Sequence, residues 1–279
     1  MLTSGGGLWK TQNLFDPSGF PTWTPLSDNL LSTCGGSFAL GRSSDTIYLG
    51  LGDPMQYFGS ISETGCIGGM MYISQDGGLS WGSPIYFTLE VEGVVYTATI
   101  IFDVQVEHSQ SPDVVLVSTE IGIFRSIDGG ASFSHVYPTR NVTTIILNRQ
   151  TLTFSLVQSL VRTSVGWMGF DYLPSVRQLI VSENGGQNWS TPVGSNWASV
   201  TGSDRGVALG RTTFAVATPG ESVVYAVVGL IKGSDTSQSF QANAQLNVFK
   251  STDGGILWES LRCNSSYTPT NPISSTFLL

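Results

Sequence analysis

Apolar and polar residues alternate along most of this chain in short runs, and nowhere do they take up the 3.6-residue spacing of a long amphipathic helix. Alternation with β-branched and aromatic enrichment, punctuated by Gly, Asp, Asn and Ser, is the pattern of strands joined by turns. It predicts strands over 37–40, 46–52 and 69–74, then over 99–106, 113–118, 122–126 and 133–137. Further along it predicts 143–147, 156–161 and 178–182, then 206–209, 213–217, 223–228 and 247–251. A returning strand is expected from each of Trp81, Trp189 and Trp258.

One turn recurs between these runs. Ser74-Gln75-Asp76-Gly77-Gly78-Leu79-Ser80-Trp81 comes back as Ser126-Ile127-Asp128-Gly129-Gly130-Ala131-Ser132-Phe133, as Ser182-Glu183-Asn184-Gly185-Gly186-Gln187-Asn188-Trp189, and as Ser251-Thr252-Asp253-Gly254-Gly255-Ile256-Leu257-Trp258. Asp-Gly and Asn-Gly favour tight hairpins, because glycine accepts positive φ and the side-chain oxygen takes hydrogen bonds from nearby backbone amides. The aromatic that follows can pack against its cross-strand neighbours as the chain returns.

The aromatic anchors Trp81, Phe133, Trp189 and Trp258 are 52, 56 and 69 residues apart, and Trp23 lies 58 residues before the first. The segment running from Gly5 through Trp9 to Trp23 is a further copy whose turn has become Asn13-Leu14-Phe15-Asp16-Pro17-Ser18-Gly19. Four-stranded units repeated at about this spacing predict the blades of an all-β propeller. The expected layout is one domain over 1–279: part of a blade over 1–30, blades near 36–90, 97–138, 141–193 and 198–262, and a tail over 263–279. The tail either closes a five-bladed ring or begins a blade of a six- or seven-bladed one. The second is favoured, because closure needs two more strands and the tail supplies about one.

The wording of these units resembles the BNR or Asp-box repeat of sialidase-like and sortilin-like β-propellers. The phrases Gly6-Gly7-Leu8-Trp9-Lys10-Thr11, Trp23-Thr24-Pro25-Leu26-Ser27-Asp28 and Asp45-Thr46-Ile47-Tyr48-Leu49-Gly50-Leu51-Gly52-Asp53 are similar to secreted repeat proteins labelled exo-α-sialidase-like. The resemblance covers nearly the whole chain and implies fold far more than activity. It implies that the boxes join third to fourth strands on the rim away from ligand. Asp76, Asp128, Asn184 and Asp253, with Trp81, Phe133, Trp189 and Trp258, are then structural. The ligand face would carry 53–67, 164–175 and 229–245, with Asp28, Glu90, Glu92 and 137–140 from the links between blades. On that face Tyr57, Tyr137, Arg140, Trp167 and Tyr172 are the expected binding residues, since aromatic faces beside polar groups suit sugar rings. Phe58, Tyr86 and Phe170 are placed there with them. The alternative is that such aromatics pin long loops to the ring.

Composition narrows the partners. Charged residues are 11% of the chain, against roughly 25% in average globular proteins. The net charge of −8, with three lysines, would repel a phosphate backbone and argues against nucleic acid. No run reaches the roughly 18 to 20 apolar residues of a membrane span, so no membrane insertion is expected, and the first residues lack the pattern of a signal peptide. The polar, β-rich composition and the resemblance place the protein outside the cell or at its surface, either by itself or as one module of a larger chain or assembly. Cys34, Cys66 and Cys263 make an odd count, and a Cys34–Cys66 bridge competes with free thiols. Asn141-Val142-Thr143, Asn188-Trp189-Ser190 and Asn264-Ser265-Ser266 fit the glycosylation sequon, and at Asn188 a glycan would be expected to crowd the hairpin.

Catalysis is the weaker expectation. A sialidase of this fold needs an arginine triad for the substrate carboxylate, yet the Phe/Tyr-Arg-Ile-Pro phrase is absent and among nine arginines only Arg140 falls clearly on the expected face. A glycosidase needs paired carboxylates, about 5 Å apart for retention or roughly 6.5–9.5 Å for inversion. Asp53 and Asp171 are the candidates, with Asp103 and Glu107 on an inner strand as others. His108 and His135 lack metal-ligand spacing, and no cofactor is expected. The reading is a non-catalytic propeller binding a glycan or protein, or serving as a structural unit of a surface assembly. The alternative is a glycoside hydrolase of the same fold.

Overall fold

The computed structural model describes the chain except residues 4, 18, 53–67, 92, 110, 138–156, 164–165, 174–175, 204–208, 217–221, 231–244 and 262–279. It is an all-β structure of antiparallel sheets with a single five-residue helix among the described residues. Two compact units divide it, Met1–Phe154 and Ser155–Leu279.

In the first unit every sheet follows chain order, so each is a meander. Strands β1 (Leu2–Thr3), β2 (Gly7–Lys10) and β3 (Thr24–Pro25) form the first sheet. The second contains β4 (Gly35–Leu40), β5 (Ile47–Leu51), β6 (Met70–Ser74) and β7 (Ile85–Tyr86). A separate hairpin, β8 (Thr88–Val91) and β9 (Val94–Thr97), precedes a third sheet of β10 (Ile101–Glu107), β11 (Val114–Thr119), β12 (Gly122–Ser126) and β13 (Ser134–Tyr137).

Strand β5 shows what holds these sheets together. All five of its residues are buried, which a half-exposed strand cannot achieve because successive side chains point to opposite faces. Ile47, Leu49 and Leu51 pack with Leu8, Met70 and Tyr72 on the side of the first sheet. Tyr48 packs on the other side with Met71, Phe87, Ile101, Val104, Val115, Val117 and Phe124 of the second and third sheets and the link between them. The second sheet is therefore buried on both faces at its centre, strand β5. Gly36 and Gly50 make room for the third sheet: a Cβ would meet Ile101 O at the first and lie 2.6 Å from Ile101 Cγ2 at the second.

The second unit repeats the meander. Strands β14 (Val157–Thr163), β15 (Gly166–Leu173) and β16 (Val176–Ser182) form one sheet, extended by a bridge between Val181 and Ser190. Helix α1 (Trp197–Thr201) leads to the other, β17 (Leu209–Val216), β18 (Val224–Leu230), β19 (Gln245–Ser251) and β20 (Trp258–Leu261). Met168, Leu179 and Val181 of one sheet share a core with Phe214, Ala226, Val228, Phe249 and Trp258 of the other. Trp197 of α1 completes it, edge-on to Trp258 at 5.0 Å between ring centroids.

Several expectations change. Within the expected loop 164–175 the described residues Gly166–Leu173 are strand β15, paired on both sides, with Asp171 opposite Val157 and Gln178. Met168 of the same strand is fully buried between the sheets. The first strand of the last sheet is Leu209–Val216, which takes in most of the expected 213–217 and, of the expected 206–209, the described Leu209. Hairpin β8–β9 occupies what the sequence presents as a link between units, and it carries the exposed Glu90. Of the four aromatic anchors only Trp258 itself opens a strand; Trp81 precedes β7 by four residues. Strand 143–147 and the tail lie outside the described residues.

Candidate functional site

The recurring turn has one hydrogen-bond design. In the first copy Ser74, 1% exposed, donates its hydroxyl to Asp76 Oδ1 at 2.8 Å and accepts from the Gly78 amide at 2.8 Å. Asp76 Oδ1 also accepts from the Ser80 amide at 2.9 Å, while Oδ2 accepts the Ser80 hydroxyl at 2.6 Å. The second copy repeats these bonds through Ser126, Asp128, Gly130 and Ser132 at 2.7, 2.8, 2.9 and 2.5 Å. Both glycines of each copy have positive φ, 74° and 89° in the first, which excludes most side chains there.

The third and fourth copies keep the serine and exchange its surroundings. Ser182 donates to Asn184 Oδ1 at 3.0 Å, and Ser251 donates to Asp253 Oδ1 at 2.7 Å. Trp189 and Trp258 donate their indole N–H to the carbonyls of Gly186 and Gly255 at 3.1 and 2.8 Å, closing the turn on itself. Trp81 instead reaches Leu26 O at 2.8 Å, tying the first copy to the chain just after β3.

These bonds fix the charge state. The hydroxyl and amide of Ser80, with the Ser74 hydroxyl, hold the Asp76 carboxyl down at about 2. The hydroxyls of Ser132 and Ser126 do the same for Asp128, also to about 2. At Asp253 burial pushes upward, but the Ser251 hydroxyl and the amides of Leu257 and Ile256 outweigh it and keep the carboxyl low. Each acid is engaged by its own turn.

A second polar cluster lies beside the second copy. Asp113, 8% exposed, accepts the Arg42 amide at 2.9 Å and faces the Arg42 guanidinium at 4.0 Å and His108 Nδ1 at 3.5 Å. Tyr48 donates to Gly129 O at 3.2 Å. Burial, and then the neighbouring Asp113 charge, push its hydroxyl up to about 12. The cluster thus joins the β4–β5 and β10–β11 turns to the recurring turn between β12 and β13.

The opposite end of the second and third sheets is built around Glu120, in the turn between β11 and β12. It is 8% exposed. Its carboxylate accepts the Thr99 hydroxyl at 2.7 Å, the Ile100 amide at 3.1 Å and the Thr99 amide. Burial pushes its carboxyl up, against those donors. Gly52 and Gly69, which flank 53–67, pack on this pinned link: a Cβ would meet Thr99 O at 2.7 Å from Gly52 and Thr99 Cα at 2.6 Å from Gly69. Tyr137 ends β13 at this same end. His135 sets Nε2 against Ile121 O at 3.0 Å, and its burial lowers the imidazole pKa.

Comparison with known proteins gives no family. No family model matches the chain, and no curated protein matches it. Among solved structures it is similar to an ancestral GH74 enzyme, at 12% identity and a TM-score of 0.49, over 85% of this chain and 28% of that one. It is also similar to the extracellular domain of a hybrid two-component system of B. thetaiotaomicron, at 17% identity and a TM-score of 0.32, over 83% and 28%. The chain therefore spans 28% of the length of each. Among the described residues no helix is long and apolar enough to cross a membrane.

The expected site residues fare unequally. Tyr137 is at the Glu120 end but is 8% exposed, so its ring packs inward. Trp167, Asp171 and Tyr172 belong to β15 and not to a connection between strands. Asp53, Tyr57, Phe58 and Arg140 lie outside the described residues, as do Glu92, Cys66, Cys263, Asn141 and Asn264. Cys34 is buried and disulfide-bonded. Asp103 accepts Ser37 Oγ at 3.1 Å and Gln105 Nε2 at 3.2 Å, and Glu107 accepts the Ser109 amide at 3.0 Å. Those two acids are four residues apart on one strand, hence about 13 Å at ~3.3 Å per residue.

Glu120 and Asp113 are the residues that sequence reasoning missed. Both are acids in or beside turns between strongly apolar strands, and that position is the signal that could have found them.

Proposed function

We propose that this chain is an Asp-box β-propeller, its sheets the blades, that works outside the cell as a non-catalytic binder of a glycan or a protein. Binding would use the end of the sheets carrying Glu120 and the residues that flank 53–67. The observation that supports this is the state of the described acids in the recurring turns and in that end. Asp76, Asp128 and Asp253 are engaged by their own turns, and Glu120 has both oxygens occupied by Thr99 and Ile100. A carboxylate held in this way by backbone and hydroxyl donors serves to fix structure, and three of the roughly four lone-pair sites of Glu120 are taken.

A glycan array run beside a panel of fluorogenic glycosides tests the reading. Saturable binding without turnover is expected. Turnover that disappears in Asp53→Ala or Asp171→Ala would replace it with a glycoside hydrolase.

A further inference from the structure

The third copy of the turn differs from the others at two linked positions. In the first two copies an Asp presents two oxygens, and the residue four places on is a serine whose hydroxyl occupies the second. In the third, Asn184 presents one oxygen, and Asn188 supplies only its backbone amide to it, at 2.9 Å. Among the described residues the Asn188 carboxamide takes part in none of the turn's hydrogen bonds, and it is exposed. Trp189 turns inward, 8% exposed, with its indole on Gly186 O. Ser190 is exposed again, and its backbone alone forms the bridge to Val181, at 2.7 and 2.9 Å. The sequon Asn188-Trp189-Ser190 therefore presents its acceptor and its hydroxyl outward and buries only the residue between them.

We propose that Asn188 carries an N-linked glycan. The transfer joins Asn188 Nδ2 to the anomeric carbon of the reducing-end sugar of a polyisoprenyl-diphosphate oligosaccharide. The bond from that carbon to the diphosphate oxygen breaks, the diphosphate departs with the electron pair, and Nδ2 loses one proton. No oxidant or reductant is required. The disulfide at Cys34 is an independent pointer, since such bonds persist in the oxidising compartments through which exported proteins pass. Because Trp189 is buried, the sequon is read in an extended chain before the turn closes. The expected crowding of the hairpin does not arise, because the carboxamide lies outside the turn's bonding. This inference rests on the export included in the proposed function and not on any ligand, so glycan occupancy and ligand binding fail independently.

The test directs the full chain through a eukaryotic secretory pathway and releases glycans with an amidase in 18O water before peptide mapping. An 18O-labelled aspartate at position 188 is expected. Ser190→Ala should abolish that label and leave the melting temperature unchanged, because only the Ser190 backbone is used in the fold. A secreted chain unlabelled at 188, whether or not Asn141 and Asn264 are labelled, overturns the proposal. So does a chain retained in the cell without a glycan.

Discussion

The two ends of the sheets treat carboxylates in opposite ways. At the recurring turns Asp76 and Asp128 are held low, at about 2, because hydroxyls and amides converge on an oxygen that faces water. At the other end Glu120 is buried and pushed up, and its three donors reduce that cost without removing it. The turn acids staple neighbouring residues, four apart in sequence. Glu120 joins segments about twenty residues apart, and so sets where one strand enters relative to the turn of another. The turn end is repetitive, its acids bonded within their own turns, whereas the Glu120 end is individual.

Removing Glu120 should produce the largest effect. Glu120→Ala leaves two backbone amides and a hydroxyl without their acceptor and should cost about 3 kcal/mol of unfolding free energy, read from urea denaturation. Glu120→Gln, which keeps one acceptor oxygen, should lose less. Equal losses would mean that the side chain fills space and its hydrogen bonds matter little.

Within the turns, Ser126→Ala should cost roughly 2 kcal/mol and Ser182→Ala roughly 1, because the first serine donates to an ionised acid and the second to a neutral amide. The order matters more than the size. Trp81→Phe should cost about 1 kcal/mol or somewhat more, through loss of the bond to Leu26 O and of part of the ring packed on the core of the first two sheets.

The pH dependence of stability separates the two ends. Asp76 and Asp128 have folded values below their ordinary 3.8, so their contribution is present above that value and is lost as pH falls toward about 2. Glu120 has a raised folded value, so its contribution is full below 4.5 and is lost as pH rises through the folded value. Glu120→Gln should therefore flatten the dependence above pH 4.5 and leave the acid limb unchanged. The paired substitution Asp76→Asn with Asp128→Asn should do the reverse.

Much of this was legible in the sequence where the physics is local. The Ser-x-Asp/Asn-Gly-Gly turns are written within a few residues, and strand β12 has both of its predicted ends. Strand β15 is hidden in the sequence because Trp167, Phe170 and Tyr172 look like the aromatics of a binding loop, while pairing on both sides makes them strand residues. The register of that sheet depends on partners that no local pattern names. Hairpin β8–β9 sits in what reads as a link between units. Glu120 was invisible because its partners, Thr99 and Ile100, are brought to it only when the third sheet forms.

The acids of the recurring turns are engaged within those turns. Carbon-detected NMR titration of the Asp76 and Asp128 carboxyls in the folded protein measures this directly. Midpoints near 2 for both are predicted, and midpoints near the ordinary 3.8 would contradict it.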